Sequence, residues 1–254
     1  NPFVKDKWFA DPFILSYDDD KVVLLVEEMD FKINRGRIAK LIIDRSDYTI
    51  KDIKVLLDLS THLSFPAIER VGEETYVYPE NSASGNLVKY RYNFETDELI
   101  RIESIVDEPL TDAIMKCYNG FSFIFSTKRP NPNGNLLCIY KSVKGQYVLA
   151  QKEIFDDNTA RGAGDWFEEN GKTIRPAQDC NGYYGVGLVF QEVIFNGKTF
   201  YFKEINRIKH PKGFDGMHTF NKYKDMCVID YRRPVNPIIY YPLKYVIDII
   251  KKLL

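Results

Sequence analysis

Short apolar runs alternate with polar or glycine-containing turns along most of the chain, in a repeat of about fifty residues. Each copy opens with an apolar strand, turns at a polar patch and continues into a second apolar strand. The five copies cover residues 10–28, 65–80, 111–127, 161–179 and 217–230. A third apolar strand follows from Gly36, Gly85, Gly134 and Gly185, and a fourth strand is predicted after each of these.

Four antiparallel strands repeated five times predict an all-β fold, a five-bladed β-propeller. A single unit cannot bury both of its faces, whereas blades packed in a ring can. A β-sandwich fold would leave the repeat unexplained, since it would then have arisen by chance. We expect one domain over residues 1–254, with blades beginning near residues 11, 65, 112, 161 and 218. Residues 243–254 show apolar positions at helical spacing, which predicts a C-terminal helix on the outer rim rather than one lying on a membrane surface.

Charge and composition exclude several classes of partner. The chain has 35 basic and 36 acidic residues spread evenly, so no basic stripe points to nucleic acid. No run of 18 apolar residues predicts a transmembrane segment. The four cysteines show no CxxC spacing, which argues against zinc or a disulfide framework and favours a reducing, cytoplasmic location.

Polar residues fall at one particular place in each repeat. The start of strand one and the end of strand two lie at the same edge of an antiparallel pair, so these positions should surround one mouth of the central channel. They are Asp11, Glu27/Glu28, Phe65, Glu80, Asp112, Ser126, Thr127, Arg161, Arg175, Gln178, Asp179, His218 and Asp230, with His62 near the rim. Each of them also has a purely structural interpretation. Asp11 before Pro12 is typical of a turn, and polar blade ends can simply bind neighbouring blades.

With these positions in hand, the chain resembles the furanosidase-type propellers, namely arabinanases, β-xylosidases, invertases and levansucrases. That group carries an Asp on strand one of blade one, matched by Asp11 in ADPF, and another on strand one of blade three, matched by Asp112 in TDA. Its third acid, a Glu opening blade four, is replaced by Arg161 in RGA. A guanidinium cannot donate a proton to a leaving group, so this departure bears on activity.

A second resemblance covers residues from about Trp8 to Arg233. The strings ADPF, GRIA, HLSFP, YPE, RPAQDCNGYYG and MHTFN resemble the N-terminal domain of plant glucosamine inositolphosphorylceramide transferases. Similar bacterial domains are joined to formyltransferase-like domains and associated with surface glycan assembly. The resemblance therefore implies a glycan or glycoconjugate ligand and a formyltransferase or glycosyltransferase partner.

Two hypotheses of function remain. In the first, the protein is glycoside hydrolase-like and acts on a surface glycan, which needs an acid and a base or nucleophile. Asp11 is then the base or nucleophile, Asp112 tunes its neighbours as the resemblance implies, and Glu80 or Glu28 is the relocated acid. Arg161 and Arg175 would bind an anionic uronate or phosphate bidentately. The other predicted ligand-binding residues are Gln178, Asp179, His218, His62 and Asp230.

In the second hypothesis the same mouth recognises a glycan during its assembly without catalysing a reaction. Replacement of the group's Glu by Arg161 favours this alternative, and retention of Asp11 and Asp112 favours catalysis. A protein-binding scaffold is a third class, which does not need carboxylates at the mouth. No cofactor is required; Ca²⁺ in the channel is an option, and His218 is either a channel histidine or a metal neighbour.

Overall fold

The structure is a computed structural model that describes residues 6–233, and its first three sheets have the four strands that the repeat predicts. Blade one contains β1 (Lys7–Tyr17), β2 (Lys21–Asp30), β3 (Arg35–Asp44) and β4 (Ile50–Leu57). Blade two contains β5 (Ser64–Val71), β6 (Glu74–Glu80), β7 (Leu87–Asn93) and β8 (Glu98–Val106), with a short 3₁₀ turn at Ser82–Ser84. Both blades are four-stranded antiparallel sheets with their strands in chain order.

Blades three and four repeat this arrangement. Blade three contains β9 (Leu110–Tyr118), β10 (Phe121–Lys128), β11 (Leu136–Val143) and β12 (Gln146–Ile154). Blade four contains β13 (Phe167–Glu169), β14 (Lys172–Asp179), β15 (Gly187–Phe195) and β16 (Phe200–Lys209). A two-stranded sheet follows, made of β17 (Phe220–Tyr223) and β18 (Met226–Ile229).

The sheets close into a ring through their first strands. β1 contacts β5 on one side and β17 and β18 on the other, and β5 contacts β9. Arg161 of blade four reaches Asp112 of blade three, and the Phe220 amide donates to the Ala163 carbonyl. The fold is thus an all-β propeller with antiparallel four-stranded blades.

The predicted blade count differs from the structure in the last repeat. Within residues 6–233 the propeller has four complete blades, and the fifth position in the ring carries two strands where four were predicted. The predicted helix over residues 243–254 lies outside the described residues. Across residues 6–233, no helix is long and apolar enough to cross a membrane.

The first strand of blade four also differs from its prediction. Residues 161–163 form one isolated bridge, between Gly162 and Ala177, and the strand proper is only Phe167–Glu169. Gly164, with φ of +147°, interrupts the strand because its backbone packs directly against Phe220 of the last sheet. Blade four consequently holds its neighbour through a loop in place of a long inner strand.

The apolar core lies between the blades. One large cluster of buried side chains joins blades one to four, and a second lies between blade one and the last sheet. Burying an apolar side chain of this size contributes about 1.5–3 kcal/mol. This packing holds the inner strand ends, and the polar groups on them, in fixed positions.

Candidate functional site

The inner strands of three blades break their pairing at the same place. The strands are β1, β5 and β9, and their pairing with the second strand shifts register at Asp11, Phe65 and Asp112. All three residues have left-handed φ angles, of 50°, 42° and 51°. Such angles cost on the order of 1–3 kcal/mol for a non-glycine residue, and bulges of this kind redirect a side chain. The same strained bulge therefore recurs in three blades, and it directs Asp11, Phe65 and Asp112 toward the neighbouring blades.

Asp11 is a buried carboxylate with donors from two other sheets. Its Oδ2 accepts from the Phe65 amide at 3.1 Å, and its Oδ1 accepts from the Thr219 hydroxyl at 2.7 Å. The His218 Nε2 atom lies 3.3 Å from Oδ1. Burial raises the pKa of Asp11, but the hydrogen bond and charge of His218, with the bond from Thr219, lower it below its usual value. Asp11 is thus an ionised group at neutral pH.

His218 lies between two carboxylates. Its Nδ1 is 2.9 Å from Asp230 Oδ2, while Asp230 Oδ1 accepts from the amides of His218 and Thr219 at 3.0 and 2.9 Å. Burial lowers the pKa of His218, but the charges of Asp230 and Asp11 outweigh it and raise the pKa to about 10. The imidazole is consequently doubly protonated in the ordinary pH range.

The same three residues are the grouping that would suit a metal. Ligand atoms of Asp11, His218 and Asp230 lie within 4.8 Å of one another. Two carboxylates fit Ca²⁺, but an imidazolium offers no lone pair and already supplies the positive charge there. Ca²⁺ at this point stays a prediction, and it would require His218 to lose a proton.

Asp112 is held by two side chains of blade four. Arg161 Nε lies 2.6 Å from Oδ2 and Nη2 lies 3.3 Å from Oδ1, while Gln178 Nε2 donates to Oδ2 at 2.8 Å. Arg161 also donates to Asn133 at 2.7 Å. Burial lowers the pKa of Arg161, but Asp112 and Glu80 raise it well above its usual value. The Arg161 fork therefore faces Asp112, and the expected bidentate grip on an anionic ligand is not what the structure presents.

Glu80 is the carboxyl group with the most unusual environment. Ser82 Oγ donates to its Oε1 at 2.8 Å, and Arg161 Nη2 lies 3.4 Å from its Oε2. Burial and the adjacent Asp112 carboxylate raise the pKa of Glu80 to about 8, although Arg161 opposes the shift. Glu80 thus carries a proton at pH 7 while Asp11 does not.

The two adjacent glutamates of β2 separate to opposite faces. Glu27 lies with the mouth groups, and His62 Nε2 is 3.2 Å from its Oε1. Glu28, predicted as an alternative acid, pairs with Lys7 at 2.9 Å and with Arg37, and its role as an acid stays a prediction. Side chains alternate along a strand, and this alternation could have separated Glu27 from Glu28 once the facing direction of Asp11 was known.

His62 is oriented by a backbone amide. The Gly36 N–H donates to its Nδ1 at 2.9 Å, which leaves Nε2 as the protonated nitrogen facing Glu27. Burial raises the pKa of Glu27, as does the Asp11 charge, although His62 opposes the shift. Gly36 is required here because a Cβ would lie 2.7 Å from Glu27 Oε1.

Two predicted mouth residues lie elsewhere. The Arg175 guanidinium is 1% exposed and donates to the Thr159 and Ala160 carbonyls and to Gln191. Asp179 pairs with Arg207 at 3.1 Å and accepts from Asn181. On a regular strand these odd-numbered residues face away from Gln178, which does reach the mouth. The described contacts of Arg175 and Asp179 are thus with protein groups away from the mouth, and their ligand-binding roles stay predictions.

Arg175 nonetheless affects the site indirectly. Burial alone lowers the pKa of Arg175 to about 9. Carbonyl oxygens and the rings of Phe155 and Phe202 surround the guanidinium charge, and no carboxylate of the described residues pairs with it. The two carbonyls that it binds directly precede Arg161 in the chain. Arg175 consequently fixes the backbone from which Arg161 reaches Asp112.

Sequence reasoning missed Tyr184. Its ring lies 5.0 Å from the Arg161 guanidinium carbon and 5.1 Å from the His218 ring centre. It belongs to the long RPAQDCNGYYG string, whose Gly-rich end predicts only a turn. The available signal was the string's length, which extends past Gln178 into this turn.

A cavity of about 450 Å³ lies at a different place, between blades two and three. Its lining includes Tyr78, Lys89, Glu103 and Tyr147, and none of the clustered mouth residues. The candidate site is therefore identified by its chemistry, and this flank groove is not part of it.

A family model and curated relatives match most of the chain. Residues 3–224 match the family model described as glucosamine inositolphosphorylceramide transferase 1, N-terminal. The chain belongs to this family. It is 28% identical over 185 residues to glucosamine inositolphosphorylceramide transferase 1 of Oryza sativa subsp. indica, covering 69% of this chain and 25% of the relative. The Arabidopsis thaliana protein of the same name is 29% identical over 196 residues, covering 73% and 25%.

These relatives are much longer than the region matched. The chain spans about a quarter of the length of the curated relatives it matches. Among solved structures, a hypothetical protein from Leishmania major has a TM-score of 0.52 at 14% identity, covering 90% of this chain and 81% of that one. This likeness shows the fold alone. The family match confirms the second resemblance, while the relation to furanosidases stays a prediction.

The His218 imidazolium leads to a prediction for this family member. Because the folded pKa is raised from its ordinary value to about 10, the stabilisation is complete below about pH 6.5 and is lost as pH rises through 10. We expect the free energy of unfolding of the native protein to exceed that of His218→Gln most at pH 6 and least at pH 10.5. Urea unfolding at both pH values measures this difference. A gap that stays constant with pH would show that the imidazole is uncharged.

Proposed function

We propose that the mouth binds a saccharide and breaks or transfers its glycosidic bond, with Glu80 as the acid and Asp11 as the base or nucleophile. The observation that carries this proposal is the pair of opposite protonation states, since the pKa of Glu80 is raised to about 8 while that of Asp11 is lowered. Two carboxyl groups whose environments push their pKa values apart are typical of acid–base catalysis.

The proton transfers would be as follows. Glu80 gives its proton to the oxygen of the leaving sugar or lipid group as the bond to the anomeric carbon breaks. Asp11 either attacks that carbon or removes a proton from the water or hydroxyl that attacks it. Asp112 helps to keep the proton on Glu80 through its negative charge, and Arg161 pairs with Asp112.

The charge at the mouth favours a neutral or positively charged saccharide. Five carboxyl groups lie there, on Asp11, Glu27, Glu80, Asp112 and Asp230. Glu80 is protonated at pH 7, and the others face the cations Arg161 and His218 and the imidazole of His62. Both cations are already paired, so an added uronate or phosphate would meet uncompensated negative potential. The name of the plant relatives, a glucosamine inositolphosphorylceramide transferase, supports a saccharide ligand in a glycolipid context.

The test compares Glu80→Gln with Asp11→Asn on aryl glycosides. We expect Glu80→Gln to lower turnover of poor leaving groups by about 10²–10⁴-fold, which is the usual contribution of a positioned general acid. Dinitrophenyl glycosides need no protonation, so this variant should cleave them nearly normally. Asp11→Asn should lose both kinds of substrate.

The control is Glu108→Gln. Glu108 pairs with Lys128 and Tyr140, and no described contact joins it to the mouth, so its loss should leave turnover unchanged. Native activity should also fall as pH rises through about 8, because Glu80 then loses its proton. Absence of turnover in the native protein on every glycoside would overturn the catalytic proposal.

The alternative is a recognition module without catalysis. The specific observation in its favour is that Arg161 binds Asp112 and Glu80 together, as a cross-link between blades would. Under this alternative the native protein binds methyl glycosides without cleaving them. Asp11→Asn then weakens binding. Because no bond breaks, neither the native protein nor Glu80→Gln releases product from any aryl glycoside.

A further inference from the structure

Two consecutive tyrosines lie in the connection between β14 and β15, and their environments differ. Tyr183 is 43% exposed, and its hydroxyl lies 2.9 Å from His210 Nε2. Tyr184 is turned inward, against Arg161 and His218. Tyr184 is half-buried, and among residues 6–233 no hydrogen bond is found for its hydroxyl.

The Tyr184 ring is held from two sides by charged groups of the mouth. The Arg161 guanidinium lies over its face at 5.0 Å, and the His218 ring meets it at 65°. A cation over a ring contributes about 0.5–2 kcal/mol, depending on how far the pair is desolvated. Arg161 and His218 are themselves fixed by carboxylates, so the phenol is positioned by the same ion pairs as the candidate acid and base.

The backbone next to Tyr184 is also fixed. The Met217 amide donates to the Gly185 carbonyl at 2.9 Å, which ties the connection to the last sheet just before His218. Gly185 has φ of +80° and allows the chain to turn there. Ring and backbone together direct one hydroxyl to the groups that surround the mouth.

We propose that the Tyr184 hydroxyl is a ligand-binding group of this mouth, which hydrogen-bonds an oxygen of the bound saccharide and so contributes to specificity. This inference rests on the proposed function, because it takes the ligand to be a saccharide. It adds a neutral hydroxyl to a site where Asp11, Asp112, Arg161 and His218 are already paired with one another or with their neighbours.

The protonation state of Tyr184 supports this role. Burial raises the pKa of Tyr184 well above its usual value, as do Asp11, Asp112 and Asp230, although Arg161 opposes the shift. The phenol therefore keeps its proton at any ordinary pH. A neutral hydroxyl can donate to an ether or hydroxyl oxygen of a sugar, whereas the neighbouring carboxylates can only accept.

The chain offers a matched control for the experiment. Tyr184→Phe and Tyr183→Phe each remove one hydroxyl from adjacent residues of the same turn. Binding of methyl glucoside, methyl glucosaminide, methyl N-acetylglucosaminide and methyl arabinofuranoside is measured by titration calorimetry for the native protein and both variants. We expect Tyr184→Phe to weaken the best-bound glycoside about 3- to 10-fold, as loss of one neutral hydrogen bond does. Tyr183→Phe should bind like the native protein.

Deoxy analogues of that glycoside distinguish a direct contact from a structural effect. If Tyr184 bonds one sugar oxygen, the analogue lacking that oxygen should bind native protein and Tyr184→Phe equally well. A loss that is the same for every analogue, accompanied by a lower melting temperature, would overturn the inference. Equal binding by native protein and Tyr184→Phe would overturn the inference and leave the proposed function intact. Failure of the native protein to bind any of the four glycosides would overturn both.

Discussion

Replacing Gly164 with alanine is expected to destabilise the propeller by more than about 4 kcal/mol, beyond the range of ordinary single substitutions. A Cβ at this position would overlap the Phe220 carbonyl oxygen and lie 2.8 Å from Asn221 Oδ1. Asn221 accepts from the Asp165 amide at 2.7 Å and donates to the Pro12 carbonyl at 2.8 Å. Moving it would separate blade four, the last sheet and blade one at the same time.

The matched control is Gly197→Ala, measured by urea unfolding under the same conditions. Gly197 also has a left-handed φ, of +91°, but no atom lies within 4 Å of where its Cβ would be. Its substitution should cost about 1–2 kcal/mol from backbone strain alone. Similar losses for the two variants would show that backbone conformation, and not the contact with Phe220, explains Gly164.

Arg161→Met is expected to cost about 3–5 kcal/mol, because it leaves buried Asp112 and Glu80 without their cation. Glu80, whose pKa Arg161 lowers, should then hold its proton more strongly in the folded state. Groups with raised folded pKa values lose their favourable contribution as pH rises, so the deficit should be larger at pH 8 than at pH 5. Urea unfolding at both pH values measures it.

Two further variants complete this test. Adding Asp112→Asn to Arg161→Met removes one unpaired charge and should recover part of the lost stability. Lys172→Met breaks the exposed pair between Lys172 and Glu192, so it should cost less than about 1 kcal/mol at either pH. A deficit for Arg161→Met that is independent of pH would mean that lost packing, rather than charge, explains it.

The strand pattern could be predicted from sequence because the repeat encodes it locally. The third and fourth strands expected after Gly36, Gly85 and Gly134 correspond to observed strands of blades one to three. Convergence of Asp11, Glu80, Asp112, His218 and Asp230 followed from a general property of antiparallel pairs, since each was predicted near the start of strand one or the end of strand two of its repeat. The interrupted first strand of blade four was not predictable, because Gly164 responds to Phe220, which is distant in the sequence.

The remaining site errors have one physical origin. A strand pattern predicts how far along its strand a residue lies. It does not predict which face of the sheet the side chain takes where a bulge interrupts the alternation. Glu27 and Glu28 were indistinguishable for this reason, and Arg175 was placed beside Gln178 although it faces away. The Arg161 partner could not be foreseen either, because an arginine opposite an aspartate can bind it or bind a ligand with the same fork.

The atoms that surround Asp11 also determine when the site can exist during synthesis. The Asp11 amide donates to Asp230, which lies 219 residues later in the chain, and the Asp11 carboxylate accepts from Thr219. Until nearly the whole described chain has left the ribosome, Asp11 has no ion-pair partner from the last sheet, although earlier blades can already pair their own strands. A truncated or stalled product would therefore contain folded blades but no assembled mouth, so the candidate chemistry is confined to chains that have closed their ring.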